Sequence, residues 1–142
     1  MVYPVHPAIV HFPIAAWTPT PILDAVAIAT LRPSLERLSA DLVLVGLVTA
    51  VVALAAGVLD AIRGRPGPAA KADLSAHVLA MSCAVSAFAL GALVEPGVTE
   101  SGAALSAWMR LGLNGAGAMV LLIGGHLGAR LVHQHRLPNP LE

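Results

Sequence analysis

Four stretches free of charge constrain this chain more than anything else in it: residues 1–23, 42–59, 74–94 and 111–129 contain no Asp, Glu, Lys or Arg. Each comes close to the ~20 residues that carry a helix across a ~30 Å hydrocarbon core. In lipid a backbone must satisfy its own hydrogen bonds, so such stretches are helices. With 57% of its 142 residues hydrophobic and only 11% charged, the chain is more apolar than a soluble domain can conceal. The expectation is an all-α, integral membrane four-helix bundle. It is a single transmembrane domain over 1–142, with helices at about 8–30, 40–62, 74–95 and 105–133. The first stretch has neither the basic n-region nor the small-residue cleavage site of a secretory signal, and reads as a retained helix.

Prolines, glycines and charges mark the links. Pro33 ends the first helix and 34–39 form a charged connection, Arg63-Gly64-Arg65-Pro66-Gly67-Pro68 separates helices 2 and 3, Glu95-Pro96-Gly97 stops helix 3, and Pro138 and Pro140 close the chain. Links this short permit only an up-down-up-down bundle. Arg63, Arg65, Lys71, Arg130 and Arg136 lie at one end, against Arg32, Arg37 and Arg110 at the other. The positive-inside rule then places both termini on the cytoplasmic side, in a multi-pass arrangement.

Zero net charge leaves nothing to attract nucleic acid. A single cysteine, Cys83, excludes an intramolecular disulfide and a C-x-x-C site, and reads as packing. No tandem repeat or low-complexity tract stands out. In helix 1, Pro13, Pro19 and Pro21 free the carbonyls of Ile9, Ala15 and Trp17, for which the hydroxyls of Thr18 and Thr20 are candidate donors. Gly124 and Gly128 form a G-x-x-x-G pair in helix 4, with Ala53, Ala56 and Gly57 of helix 2 as counterparts; the same glycines would suit a homodimer.

Ionisable groups at a membrane boundary are costly and mark a functional question. His6 and His11 open helix 1, Asp60 closes helix 2, His77 opens helix 3 and His126 lies near the end of helix 4. In an up-down-up-down bundle these residues share one layer near the cytoplasmic face. One chemistry for that layer is haem b between facing histidines, with His11 and His77 on diagonal helices as the leading axial pair. His6 and His126 are substitutes, and Arg63 or Arg130 are propionate partners. A second is a single zinc, iron or copper ion held by His11, His77, His126 and Asp60, with Met81 as an aid to copper. A third needs no cofactor: a structural layer, or a cluster of histidines and Asp60 that relays protons or meets a quinone headgroup. His133 and His135 fall beyond the bundle. On the opposite side Asp24 and Arg110 are placed at similar depth and invite an ion pair, extended by Asn114; Trp17 looks too deep for an interfacial anchor, unlike Trp108.

The motifs His6-Pro7-x-x-Val10-His11-Phe12-Pro13-Ile14, Gly57-x-x-Asp60, His77 at the start of helix 3 and Gly124-Gly125-His126-Leu127 together resemble a family of small bacterial membrane proteins, domain-of-unknown-function family 2231. The resemblance covers most of the chain. It implies a four-helix integral membrane protein, fused in some relatives to a Rieske-type iron-sulfur domain. That points to electron transfer, to a cofactor such as haem and to a Rieske-type redox partner; with the quinone that the histidine layer could meet, the expectation is an electron-transfer or accessory membrane protein rather than an enzyme.

Overall fold

The computed structural model describes residues 6–64, 66–94 and 100–134, and among these all regular secondary structure is helical. Four helices are long and apolar enough to cross a membrane. Helix 1 covers His6–Thr30, helix 2 Pro33–Gly64, helix 3 Pro68–Ala92 and helix 4 Glu100–His133. They pack in chain order around a ring, so helices 1 and 3 face each other across the centre. Arg65, the 95–97 stop, His135, Arg136, Pro138 and Pro140 lie outside the described residues.

The prolines act where the chain needs them. Helix 1 is interrupted at Val10 and again at Thr18 and Pro19, giving segments His6–Ile9, His11–Trp17 and Thr20–Thr30. Pro21 leaves the Trp17 carbonyl without its usual donor, and the Thr20 hydroxyl supplies it at 2.8 Å. The Thr18 hydroxyl serves Ile14 instead. Two boundaries move from their expected places. Pro33 and Pro68 open helices 2 and 3, because a proline at the first helical position gives up an N–H that has no partner there anyway. The expected 34–39 link is thus the first turns of helix 2. Leu31, at φ 52°, makes the tight left-handed turn between helices 1 and 2.

Helices 1 and 2 form one hairpin and helices 3 and 4 another, and the two share matched ring-on-glycine contacts at positions 71 residues apart. Trp17 lies over Gly46 and Phe88 over Gly117; the His6 ring lies against Gly57 and the His77 ring against Gly128. Equivalent positions also meet: Trp17 stacks on Phe88 with centroids 4.6 Å apart and planes 11° apart, and His6 meets His77. Equivalent residues can touch only near the axis that relates the two halves, so both pairs lie on the centre line of the bundle. The correspondence is one of contacts, and it does not stand out in the sequence. The sequence hides it because only scattered positions of the 71-residue register, such as His6/His77, Gly46/Gly117 and Gly57/Gly128, are identical.

The core is thin and aromatic. Trp17, Val43, Ala84, Phe88 and Leu121 are buried together, and the indole N–H of Trp17 donates to the Val43 carbonyl at 3.1 Å. Most other large apolar side chains are exposed on the outer faces, among them Val48, Val51, Leu54, Leu79 and Leu122, as lipid-facing surfaces require. Cys83, expected to pack, is on that surface too.

Candidate functional site

The layer of histidines forms, but from a different pair than the sequence favours. His6 and His77 are half-buried and face each other, with ring centroids 6.3 Å apart and planes at 83°. His11 is exposed. The reason is angular: five residues at about 100° per residue turn a side chain roughly 140° around the helix, so His6 and His11 cannot both point inward, and the break at Val10 leaves His11 outside. His126 is exposed as well, two residues from Gly124 and Gly128. Those glycines turn towards helix 3, meeting Met81 and His77 rather than the expected small residues of helix 2.

Both imidazoles are pinned in the same way. His6 Nδ1 lies 2.7 Å from the carbonyl oxygen of Ala53, and His77 Nδ1 lies 2.7 Å from that of Gly124. A carbonyl can only accept, so each Nδ1 carries the proton. In the neutral ring Nε2 is then a lone pair with no proton on it. Each carbonyl sits four residues before the glycine against which the ring lies, Gly57 or Gly128, where an added Cβ would come within 3.0 Å of the imidazole. The glycines clear room for the histidines, and the i, i+4 geometry of a helix supplies the carbonyl on the same face.

Asp60 belongs to this layer through the main chain: its Oδ2 accepts from the His6 backbone N–H at 3.0 Å. That donor opens helix 1 and has no carbonyl before it in the helix. The equivalent of Asp60 in the second hairpin is Leu131, because His77 sits two turns inside helix 3 and has an ordinary helical partner. Arg130 is paired with Asp73 at 3.2 Å and also reaches Gln134, while Arg63 is exposed. Met81 packs on Gly124 as filler of the helix 3 and 4 contact.

Among the described residues no three of His, Cys, Asp or Glu converge as a metal set. The combination His11, His77, His126 and Asp60 is not assembled, since two of its members point outward. What the fold brings together is two imidazoles and one main-chain-bound carboxylate.

At the opposite end the expected pair of Asp24 and Arg110 is not formed. Arg110 binds Glu36 at 2.8 Å, and Asp24 Oδ2 accepts from Asn114 Nδ2 at 2.6 Å. Glu36 missed assignment because the sequence places it in a link, whereas it occupies the first turn of helix 2. Trp17 is fully buried and Trp108 exposed, as their depths suggest.

The family profile described as a predicted membrane protein, DUF2231, matches residues 2–139. No curated protein and no solved structure matches the chain.

Proposed function

The chain belongs to the DUF2231 family of predicted membrane proteins, and from the geometry of its histidines we propose that it is a membrane-embedded haem b protein of the electron-transfer type, with His6 and His77 as axial ligands. The observation that carries the reading is the matched pair of imidazoles, each with Nδ1–H held by a helix carbonyl. That is the arrangement that orients a metal-binding histidine and raises its basicity. The two rings stand close together, with centroids 6.3 Å apart, and His6 and His77 are the residues that would hold the iron of such a group.

The donor set also favours haem over a bare ion. A porphyrin brings four nitrogens of its own and asks the protein for two, which is what the fold offers; zinc or copper in a closed site asks for three or four. A histidine and aspartate relay is less well supported, because Asp60 is bonded to the main chain of His6 rather than to either ring. Haem so held would supply one-electron chemistry, its potential set by burial and ligand basicity. The protein's own part is to fix two imidazoles, exclude water and offer Arg63 at the same end to a propionate. Arg63, Lys71 and Arg130 cluster at this end, which favours a cytoplasmic position and a redox partner, such as a Rieske-type protein or a quinone, approaching there.

An optical spectrum of the protein expressed with ample haem and purified in detergent tests the reading. The expected result is a Soret band that moves on dithionite reduction, lost in His6→Ala and His77→Ala and kept in His11→Ala and His126→Ala. Colourless protein that also fails to take up added hemin, or a band indifferent to both inner histidines, would overturn it.

A further inference from the structure

The end of the bundle away from the histidines holds a cavity of about 450 Å³, within the range of small-molecule sites. Its exposed lining comes from helices 2 and 3, with Pro33, Arg37 and Ala40 on one and Ala92 on the other. The mouth is therefore the gap between those two helices. The bonds at this end run elsewhere: Asn114 ties helix 4 to Asp24 of helix 1, and Arg110 ties helix 4 to Glu36 of helix 2. They hold the floor of the cavity and leave the gap open.

The lining is ordered by depth. Glu36 and Arg37 precede the charge-free stretch of helix 2, which begins at Leu42, and Arg110 stands level with them through its bond to Glu36. Val43 comes seven residues after Glu36, about 10 Å deeper at the helical rise. Small residues line the cleft below the charges: Ala40 on helix 2, and on helix 3 Ala92 with Gly91, which lies against Asn114 one turn below Arg110. Charge at the rim and apolar wall beneath it is the order of groups along a phospholipid in its own leaflet.

The charges decide which kind of head the rim would take. The ionisable groups of the lining are Asp24, Glu36, Arg37 and Arg110, and their formal charges cancel. Asp24 is 4% exposed and its carboxylate accepts from Asn114, so it belongs to the floor. Arg110 holds Glu36 through one oxygen, Oε2, at 2.8 Å. Arg37 is exposed and has no ion-pair partner among the described residues. The rim thus offers a free guanidinium, whose planar fork matches phosphate, beside a carboxylate with an oxygen to spare. An anionic head would face Glu36 unrewarded, whereas a zwitterion answers both groups.

We propose that this cleft binds one phospholipid with a zwitterionic head, its phosphate on Arg37, its ammonium turned to Glu36 and an acyl chain along Ala40 and Ala92. This inference is independent of the haem reading, and its test reads mass rather than colour.

Native mass spectrometry of the full chain released from a non-ionic detergent compares four probes. Dioleoylphosphatidylethanolamine is the zwitterion, dioleoylphosphatidylglycerol keeps the phosphate without the ammonium, dioleoylglycerol keeps the chains alone, and inorganic phosphate keeps the anion alone. The expected result is a single saturable phosphatidylethanolamine adduct, with each other probe at least about fivefold weaker. Arg37→Gln, and Ala92→Leu, which fills the cleft, should each weaken that adduct at least about fivefold with an unchanged melting temperature. Arg32→Gln, at an exposed arginine of the same end outside the lining, should leave it unchanged. Absence of a saturable adduct overturns the proposal, as do equal affinities for the three lipids or equal effects of Arg37→Gln and Arg32→Gln. Inorganic phosphate bound as tightly as the lipid, and through Arg37, would make this a site for the free anion and overturn the lipid.

Discussion

Replacing Gly46 with alanine tests the centre of the bundle. A Cβ built on Gly46 would lie inside the indole of Trp17, 2.6 Å from Cε2 and closer still to Nε1 and Cδ1. The ring has nowhere to go: it is fully buried, stacked on Phe88 and bonded through Nε1–H to the Val43 carbonyl. Overpacking of this kind costs typically about 1–3 kcal/mol. A displaced ring also forfeits a hydrogen bond with a net worth of about 1 kcal/mol and an aromatic contact worth about 0.5–1.5 kcal/mol. Against that, alanine gains up to about 1 kcal/mol over glycine in a helix interior. The net expectation is a loss of about 2–4 kcal/mol. Gly112→Ala and Gly125→Ala are the controls, since nothing lies within 4 Å of a Cβ at either position, and each should be neutral or slightly stabilising. Unfolding in detergent followed by far-ultraviolet circular dichroism measures the series. If Gly46→Ala proves as stable as Gly112→Ala, the packing argument for the central stack is refuted.

Gly57→Ala and Gly128→Ala each place a methyl 3.0 Å from an imidazole atom. They should push the rings by a few tenths of an ångström and cost about 1 kcal/mol each; under the proposed haem reading they should also reduce haem retention several-fold, and unaltered retention would separate the glycines from the proposed site. Trp17→Phe makes the first hairpin match Phe88 of the second, keeps the stack and loses the bond to Val43. The expected loss is about 1–2 kcal/mol, read by the same unfolding measurement, and no loss would show that the bond is energetically idle. The pair of Arg110 and Glu36, with side chains 14% and 37% exposed, should show a coupling of no more than about 1 kcal/mol in a double-mutant cycle. A larger value would mean that the pair is better shielded from water than its exposure suggests.

What the sequence determined by itself is the frame. Charge-free length against hydrocarbon thickness dictates four spans, short links dictate their alternation, and the histidines, Asp60 and Gly128 fall at one end by counting along helices. The diagonal relation of helices 1 and 3 follows from the same topology. The 71-residue register was also present, though visible only once the pairs Trp17/Phe88 and His6/His77 were seen to touch. Tertiary structure alone decided which side chains look inward. Every helix is free to rotate about its own axis until packing stops it, and a step of five residues in helix 1 separates exposed His11 from inward-facing His6. The same freedom gave Arg110 to Glu36 and left Asp24 to Asn114. Depth is a sum of residue rises and can be read from the chain; facing is a property of neighbouring helices, and here it is set by glycines that admit two imidazoles and an indole.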